Sequence, residues 1–291
     1  MSVTLEKVKE LRNRTQAGFA DCKKALEECA DDIEKAIAWL REKGISKAAK
    51  KASAVAAEGQ TKVVVKDDVC AILEVNSQTD FVAKNDDFIK FVNDIADALI
   101  ANKSAENVNN MKLSNGKTVD ENSIELTAKI GEKIGFRRAV VIVKSANQTF
   151  GIYQHSDNRK SAVVLIDGNV SDEVAKDVAM HLTAMNPKFL NSSEIDNEWL
   201  ETERKILVQK TIEEGKPAEF AEKIVAGRMK KITSEVCLVE QDFFKDPSLT
   251  VGAYVKNNKG EIVKIIRYEV GEGIEKVVTD FAAEVQAQMK K

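Results

Sequence analysis

Apolar positions recur at helical spacing from the first turns of the chain. Leu5, Val8 and Leu11 share one face. Thr4 stands where an N-cap belongs, and Glu6 puts an acid in the first turn, where the helix dipole favours it. Val3 and Val8 have the spacing of a hydrophobic staple around Thr4, but Lys7 occupies the position of a capping-box acid. The segment Arg14-Thr15-Gln16-Ala17-Gly18 interrupts this helix, after which Phe19, Cys22, Leu26 and Cys29 repeat at helical spacing. Asp31 or Asp32 then caps a third helix with Ile33, Ile37 and Leu40 on its face and Gly44 at its end. Three short helices make a small bundle with a thin core. An Ala- and Lys-rich linker leads from it to Gly59.

From residue 60 the period becomes that of strands. Thr61–Lys66 and Val69–Asn76 predict a hairpin turning at Asp67-Asp68. A helix follows with Phe88, Val92, Ile95 and Leu99 on one face, then a polar stretch over 101–123 that reads mostly as loop. A helix around 123–134 ends near Gly135, and Arg137–Ser145 is a further strand. The second half loosely repeats the first. Phe150–His155 and Ser161–Asp167 form another hairpin, and Ser171–Met185 is a helix stopped by Pro187. A charged helical pair over about 194–214 and 218–232 turns at Glu214-Gly215-Lys216-Pro217 and reads as an antiparallel helical hairpin. The strand Glu261–Glu269 closes this half, and a last helix runs from about Thr279. The predicted fold class is α+β: an N-terminal three-helix unit, a core of two related halves with small antiparallel sheets, the inserted hairpin and a C-terminal helical module.

A chain of 291 residues has room for two or three domains. Its 43% apolar and 31% charged residues are the balance of a globular protein rather than a disordered one. No stretch approaches the roughly 20 apolar residues of a membrane helix, and the N-terminus carries no signal core, so a cytoplasmic protein is expected. Cys22, Cys29, Cys70 and Cys237 lie at irregular spacings and read as free thiols. The net charge of −3 conceals the basic run KGISKAAKK over 43–51, which reads as a solvated linker face more readily than a phosphate contact. With 5% aromatic residues and near-neutral charge, no direct nucleic-acid binding is expected.

The chain shows few tools for catalysis. Its two histidines, His155 and His181, have no nucleophile or carboxylate at a recognisable catalytic spacing. Gly116-Lys117-Thr118 mimics the end of a phosphate loop, but Met111 stands where the first glycine belongs. Gly271-Glu272-Gly273 mimics a dinucleotide turn, but Lys276 replaces its third glycine and the glutamates would repel a pyrophosphate. No cofactor, metal ion or catalytic residue is therefore predicted. Thr79-Asp80-Phe81 has a plain structural explanation: an N-cap, with Phe81 seven residues before Phe88 on the same apolar face. Thr279-Asp280-Phe281 repeats the pattern before the last helix.

Two longer stretches go beyond pattern: LRNRTQAGFADCKKAL at 11–26, with KAAKKA after the third helix, and ILEVNSQTDFVAKN at 72–85. Collinear with them run KIGEKIGFRR (129–138), YQH (153–155), AEKIVAGRMKKITSEVCL (221–238) and VGEGIEKVVTDFAAEV (270–285). Together they resemble the bacterial elongation factor Ts family over essentially the whole chain. The resemblance implies a ubiquitin-associated-like domain with a basic linker over 1–52 and core subdomains over 53–147 and 148–270. The second carries the hairpin at about 194–232, and a C-terminal module spans 271–291. It implies a guanine-nucleotide exchange factor that binds the GDP form of elongation factor Tu, disturbs its Mg²⁺ and phosphate site, and releases GDP without chemistry of its own.

By that resemblance Thr79, Asp80, Phe81 and Val82 form the probe of the partner's nucleotide domain, with Ile130 and Gly131 alongside. His155 faces the partner's third domain, while Arg12, Phe19 and Lys23 press on the nucleotide domain from another side. The hairpin at about 194–232 reads either as a dimerisation arm for a homodimer or as a solvated charged hairpin. Phe19-Ala20 stands where family members often carry a methionine pair, and Asp242 puts a charge into the loop Gln241–Lys245, which also holds Phe244. Two other classes compete: a scaffold that binds peptides through residues 1–44, and an enzyme with a site between the two halves.

Overall fold

The computed structural model describes residues 3–15, 17–215 and 218–275. The expected last helix from Thr279, Phe281 within it, and the Lys216-Pro217 part of the hairpin turn lie outside the described residues. The described chain is mixed helix and sheet, as the two periodicities predict. It divides into two compact units. One draws on the chain up to Lys62, on Leu73–Val141 and on the stretch from Glu269; the other on Val63–Ile72 and Ile142–Tyr268.

Three helices open the first unit: α1 (Leu5–Thr15), α2 (Phe19–Glu28) and α3 (Ile33–Lys51). The Thr4 hydroxyl accepts from the Lys7 N–H at 3.4 Å, and the Asp32 carboxylate caps α3 by accepting from the Lys35 N–H at 3.1 Å. Val8, Leu11, Cys22 and Leu26 are buried in the small core, as the helical spacing predicts, together with Ala25 and Ala36, while Cys29, Ile33, Ile37 and Leu40 pack partly buried against it. Leu5 and Phe19, which share the predicted spacing, are exposed instead. Gly44 does not end α3. The run that follows it is rich in Ala and Lys, both good helix formers, and carries the helix on to Lys51. A Cβ placed on Gly44 would come 3.2 Å from the Ala128 Cβ, so the glycine serves close helix packing instead.

The strands β1 (Glu58–Lys66) and β2 (Val69–Ser77) follow, then the short helix α4 (Asp80–Ala83) and the amphipathic α5 (Asp86–Asn102). Phe88, Val92, Ile95 and Leu99 of α5 are buried together, as predicted. The helix expected over 123–134 starts earlier: α6 is Val119–Ile130. Thr118 accepts from the Glu121 N–H at 3.1 Å and the Glu121 carboxylate accepts from the Thr118 N–H at 2.9 Å, a full capping box inside the polar stretch. Gly131, at φ +86°, closes α6 four residues before the glycine that was expected to do so. It is followed by β3 (Ile134–Val143), and the sheet order is β1-β2-β3.

The second unit contains the hairpin β4 (Gln148–Gln154) and β5 (Lys160–Asp167), then α7 (Asp172–Met185) capped by Ser171. The helices α8 (Asn197–Glu213) and α9 (Ala218–Val236) pack against each other as the charged hairpin. Three elements were not foreseen: β6 (Asp242–Phe243), β7 (Asp246–Thr250) and α10 (Val251–Asn257). β8 (Glu261–Glu269) has the predicted bounds and completes a second sheet of order β4-β5-β8. The strand order thus repeats that of the first sheet, a hairpin whose second strand takes the third as its neighbour. Ala162, Val164 and Ile166 alternate along β5 into a core with Val174, Val178 and Leu182 of α7. Each of the valine, leucine and isoleucine side chains contributes about 1.5–3 kcal/mol by leaving water.

Candidate docking site

The residues predicted to act together at 79–82 sit on a turn that could not form alone. A helix of four residues has barely paid for its nucleus. Its N-cap is Thr79, whose hydroxyl oxygen accepts from the Val82 N–H at 3.4 Å. The same hydroxyl donates to the Glu132 carboxylate at 3.0 Å, and the Thr79 N–H donates to Glu132 at 3.0 Å. The Ser77 hydroxyl donates to the Thr79 carbonyl at 2.9 Å, and the Gln60 side-chain amide donates to the Ala83 carbonyl at 2.6 Å. Val82 and Ala83 are buried beneath the turn, and Asp80 pairs with Lys84 at 2.8 Å.

Phe81 points the other way and is 81% exposed, the most of any large hydrophobic residue among the described ones. The plain structural reading therefore holds for Thr79, which is an N-cap, and fails for Phe81, which does not share the buried face of Phe88. Leaving such a ring in water forgoes about 1.5–3 kcal/mol.

Ile130 is half-buried at the end of α6, and Gly131 is exposed. The chain then turns so that Glu132 reaches Thr79, and the Lys133 N–H donates to the Gln78 side-chain carbonyl at 2.8 Å. The Lys133 ammonium donates to the Ala52 and Ala54 carbonyls at 2.7 and 3.1 Å. Through Glu132 and Lys133 the structure thus joins the turn after α6 to the 78–83 turn. The contribution of Glu132 has no local signature, since its partner lies 53 residues away.

Behind this turn, Glu74 of β2 is fully buried and accepts from Arg137 at 2.9 Å and Arg138 at 2.7 Å. The Asn76 side-chain amide (3.0 Å) and the Gly271 N–H (2.8 Å) complete its shell. Burial pushes the Glu74 carboxyl up, but the bonds from Gly271, Asn76 and the two arginines outweigh it and hold it below the usual glutamate range.

In the first unit's bundle, Arg12, Phe19 and Lys23 are all exposed. Phe19 and Lys23 lie one turn apart on α2, and Lys23 stands 3.8 Å from Glu27. Cys22, between them in sequence, is buried, and burial pushes its thiol up. In the second unit, His155 ends the β4 edge of the hairpin, with its N–H donating to the Lys160 carbonyl at 2.9 Å. Its ring Nδ1 lies 2.9 Å from the Asp157 carboxylate. Burial raises the Asp157 carboxyl, but the Arg159 N–H and His155 together hold it below the usual range.

The loop Gln241–Lys245 has supports that sequence reasoning missed. His181 of α7 is fully buried, with Nε2 at 2.9 Å from the Gln241 side-chain carbonyl. Its Nδ1 accepts from the Phe244 N–H at 3.3 Å, which assigns the proton to Nε2. One turn earlier, Asp177 holds Lys245 at 2.7 Å. Phe243 is buried and stacked on Tyr254 at 4.1 Å, while Phe244 is 41% exposed between these anchors. Among the described residues no group of three or more His, Cys, Asp or Glu is placed to hold a metal ion, and no helix is long and apolar enough to cross a membrane.

The fold and these sites define a mixed α+β protein organised around presented side chains. The family model described as elongation factor TS matches residues 78–272. The chain is 64% identical to elongation factor Ts of Malacoplasma penetrans (strain HF-2), covering 100% of both chains. It is 48% identical to elongation factor Ts of Ureaplasma urealyticum serovar 10, covering 98% of this chain and 99% of that one. The chain belongs to the elongation factor Ts family and is, on that ground, a translation elongation factor of protein biosynthesis.

Proposed function

We propose that this protein binds the GDP form of elongation factor Tu, disturbs its Mg²⁺ and phosphate site, and so promotes release of GDP and entry of GTP. The observation that carries the reading is Phe81, an aromatic ring held out in water by a turn whose other side chains are buried or bonded. Thr79 and Val82 seat the turn, while Asp80 and Phe81 enter the partner's nucleotide domain with Ile130 and Gly131 beside them. Arg12, Phe19 and Lys23 press on that domain through a ubiquitin-associated-like unit over 1–52. The two core subdomains span 53–147 and 148–270, and the C-terminal module spans 271–291. His155 and its hairpin face the partner's third domain. The exposed Ile206 and Ile212 on α8 suit a homodimer contact through the helical hairpin.

Magnitudes favour shared work. Accelerating release about ten-thousand-fold requires about 5.5 kcal/mol. Burying one phenylalanine supplies about 1.5–3 kcal/mol, so Phe81 acts together with the other surfaces. Exchange then needs no active site, only binding that is tighter when GDP is absent.

The test is release of fluorescent GDP from elongation factor Tu in stopped flow. Wild-type protein is expected to accelerate it strongly, and Phe81→Ala to lose at least roughly tenfold of that acceleration, the equivalent of about 1.4 kcal/mol. No acceleration by the wild type would overturn the reading.

A further inference from the structure

Phe81 works only if its ring arrives in one direction, and α4 has little of its own with which to hold that direction. A four-residue helix fixes several backbone dihedrals for very few internal bonds. The bonds that hold it come from outside. Gln60 holds the far end through the Ala83 carbonyl, and Ser77 holds the Thr79 carbonyl. Only one of these external partners is an acid. The Glu132 carboxylate accepts both the Thr79 N–H and the Thr79 hydroxyl, each at 3.0 Å.

The second of those bonds matters beyond its own strength. A threonine hydroxyl has one proton and two lone pairs. With the proton committed to Glu132, a lone pair is turned to the Val82 N–H, which is the N-cap bond that starts α4. Glu132 therefore orients the cap as well as anchoring it. Its own position follows from Gly131, whose left-handed conformation swings the chain back toward residues 78 and 79 after α6. The α6 helix is in turn packed against α3 at Gly44 and tied to it by Arg41 and Glu121 at 3.4 Å.

We infer that Glu132 is a positioning residue for exchange, setting the aim of Phe81 through Thr79 without touching the partner's nucleotide; this rests on the exchange reading. Glu132 fixes the cap, and the cap fixes the ring. Loss of the carboxylate leaves Phe81 present but misdirected, so the maximal rate falls while the affinity supplied by the other surfaces persists. Glutamine keeps one acceptor oxygen and restores part of the rate.

Two measurements test it. In the free protein, amide hydrogen exchange read by NMR is expected to accelerate at Thr79 and Val82 by about tenfold in Glu132→Ala, the scale of one hydrogen bond to a charged acceptor. Unchanged protection there overturns the inference whatever the partner does.

In stopped flow with elongation factor Tu and fluorescent GDP, Glu132→Ala is expected to lower the maximal release rate roughly tenfold, with the half-saturating concentration changed by less than about threefold. Glu132→Gln is expected to fall between. In the Phe81→Ala background, Glu132→Ala is expected to add nothing, because it acts through the ring. An undiminished maximal rate, or the same tenfold loss in both backgrounds, overturns the inference. A wild type that fails to accelerate release overturns the exchange reading itself, and the amide measurement then decides the bracing separately.

Discussion

Glu74 has no contact with solvent and keeps its charge, because Arg137, Arg138, Asn76 and the Gly271 N–H surround it. A buried acid held by two guanidinium groups is costly to break, since removing one partner strands the others. Glu74→Ala is expected to lower the stability at neutral pH by about 3–5 kcal/mol, measured by urea unfolding. The sign of the pH dependence follows from the direction of the shift. The folded protein holds this carboxyl below its ordinary value of 4.5, so the contribution is full above that value and is lost as pH falls through the depressed one. The gap in stability between wild type and variant is therefore expected to narrow as pH falls below 4.5; a gap that stays constant to pH 3 would contradict a depressed Glu74 carboxyl. Gly131 makes a different prediction. Nothing crowds a Cβ there, so only its φ of +86° resists substitution. Gly131→Ala is expected to cost about 1–2 kcal/mol, read as a lower thermal midpoint.

Helix α7 shows what an element adds that its residues do not announce. Asp177 and His181 are one turn apart, and both face the loop that carries Phe244. Burial pulls the His181 imidazole below its ordinary value of 6.5, and the Gln241 bond only partly restores it. The stability that this neutral imidazole supplies is full above pH 6.5 and declines as pH falls through the lower folded value. His181→Leu is expected to lack that decline between pH 6.5 and the carboxylate range, a difference that thermal melts across pH resolve. Long elements of this kind were legible because period and caps agree: Phe88 to Leu99 for α5, Ser171 and Pro187 around α7, and the two charged helices. The start of α6 is hidden in the sequence because its Thr118 and Glu121 capping box sits inside a polar stretch that reads as loop. Gly44 reads as a stop because a glycine needed for close packing looks the same in sequence as one needed to end a helix. β6, β7 and α10 are too short for any period to show. The candidate site divides the same way. Residues 79–82 and 130–131 stand out in their motifs, but the bond between Glu132 and Thr79 spans 53 residues and leaves no local mark.

At the scale of the whole molecule, the proposed activity is a difference between two binding equilibria. Such coupling is reciprocal: the factor by which this protein weakens GDP on elongation factor Tu is the factor by which GDP weakens this protein's own grip. The most direct test is to titrate elongation factor Tu with this protein by calorimetry, once free of nucleotide and once saturated with GDP and Mg²⁺. The account predicts weaker binding to the GDP-saturated form, by the same factor that this protein imposes on the affinity for GDP. Equal affinity for the two forms would contradict it, whatever the tightness of binding, because a ligand indifferent to the state of its partner shifts nothing.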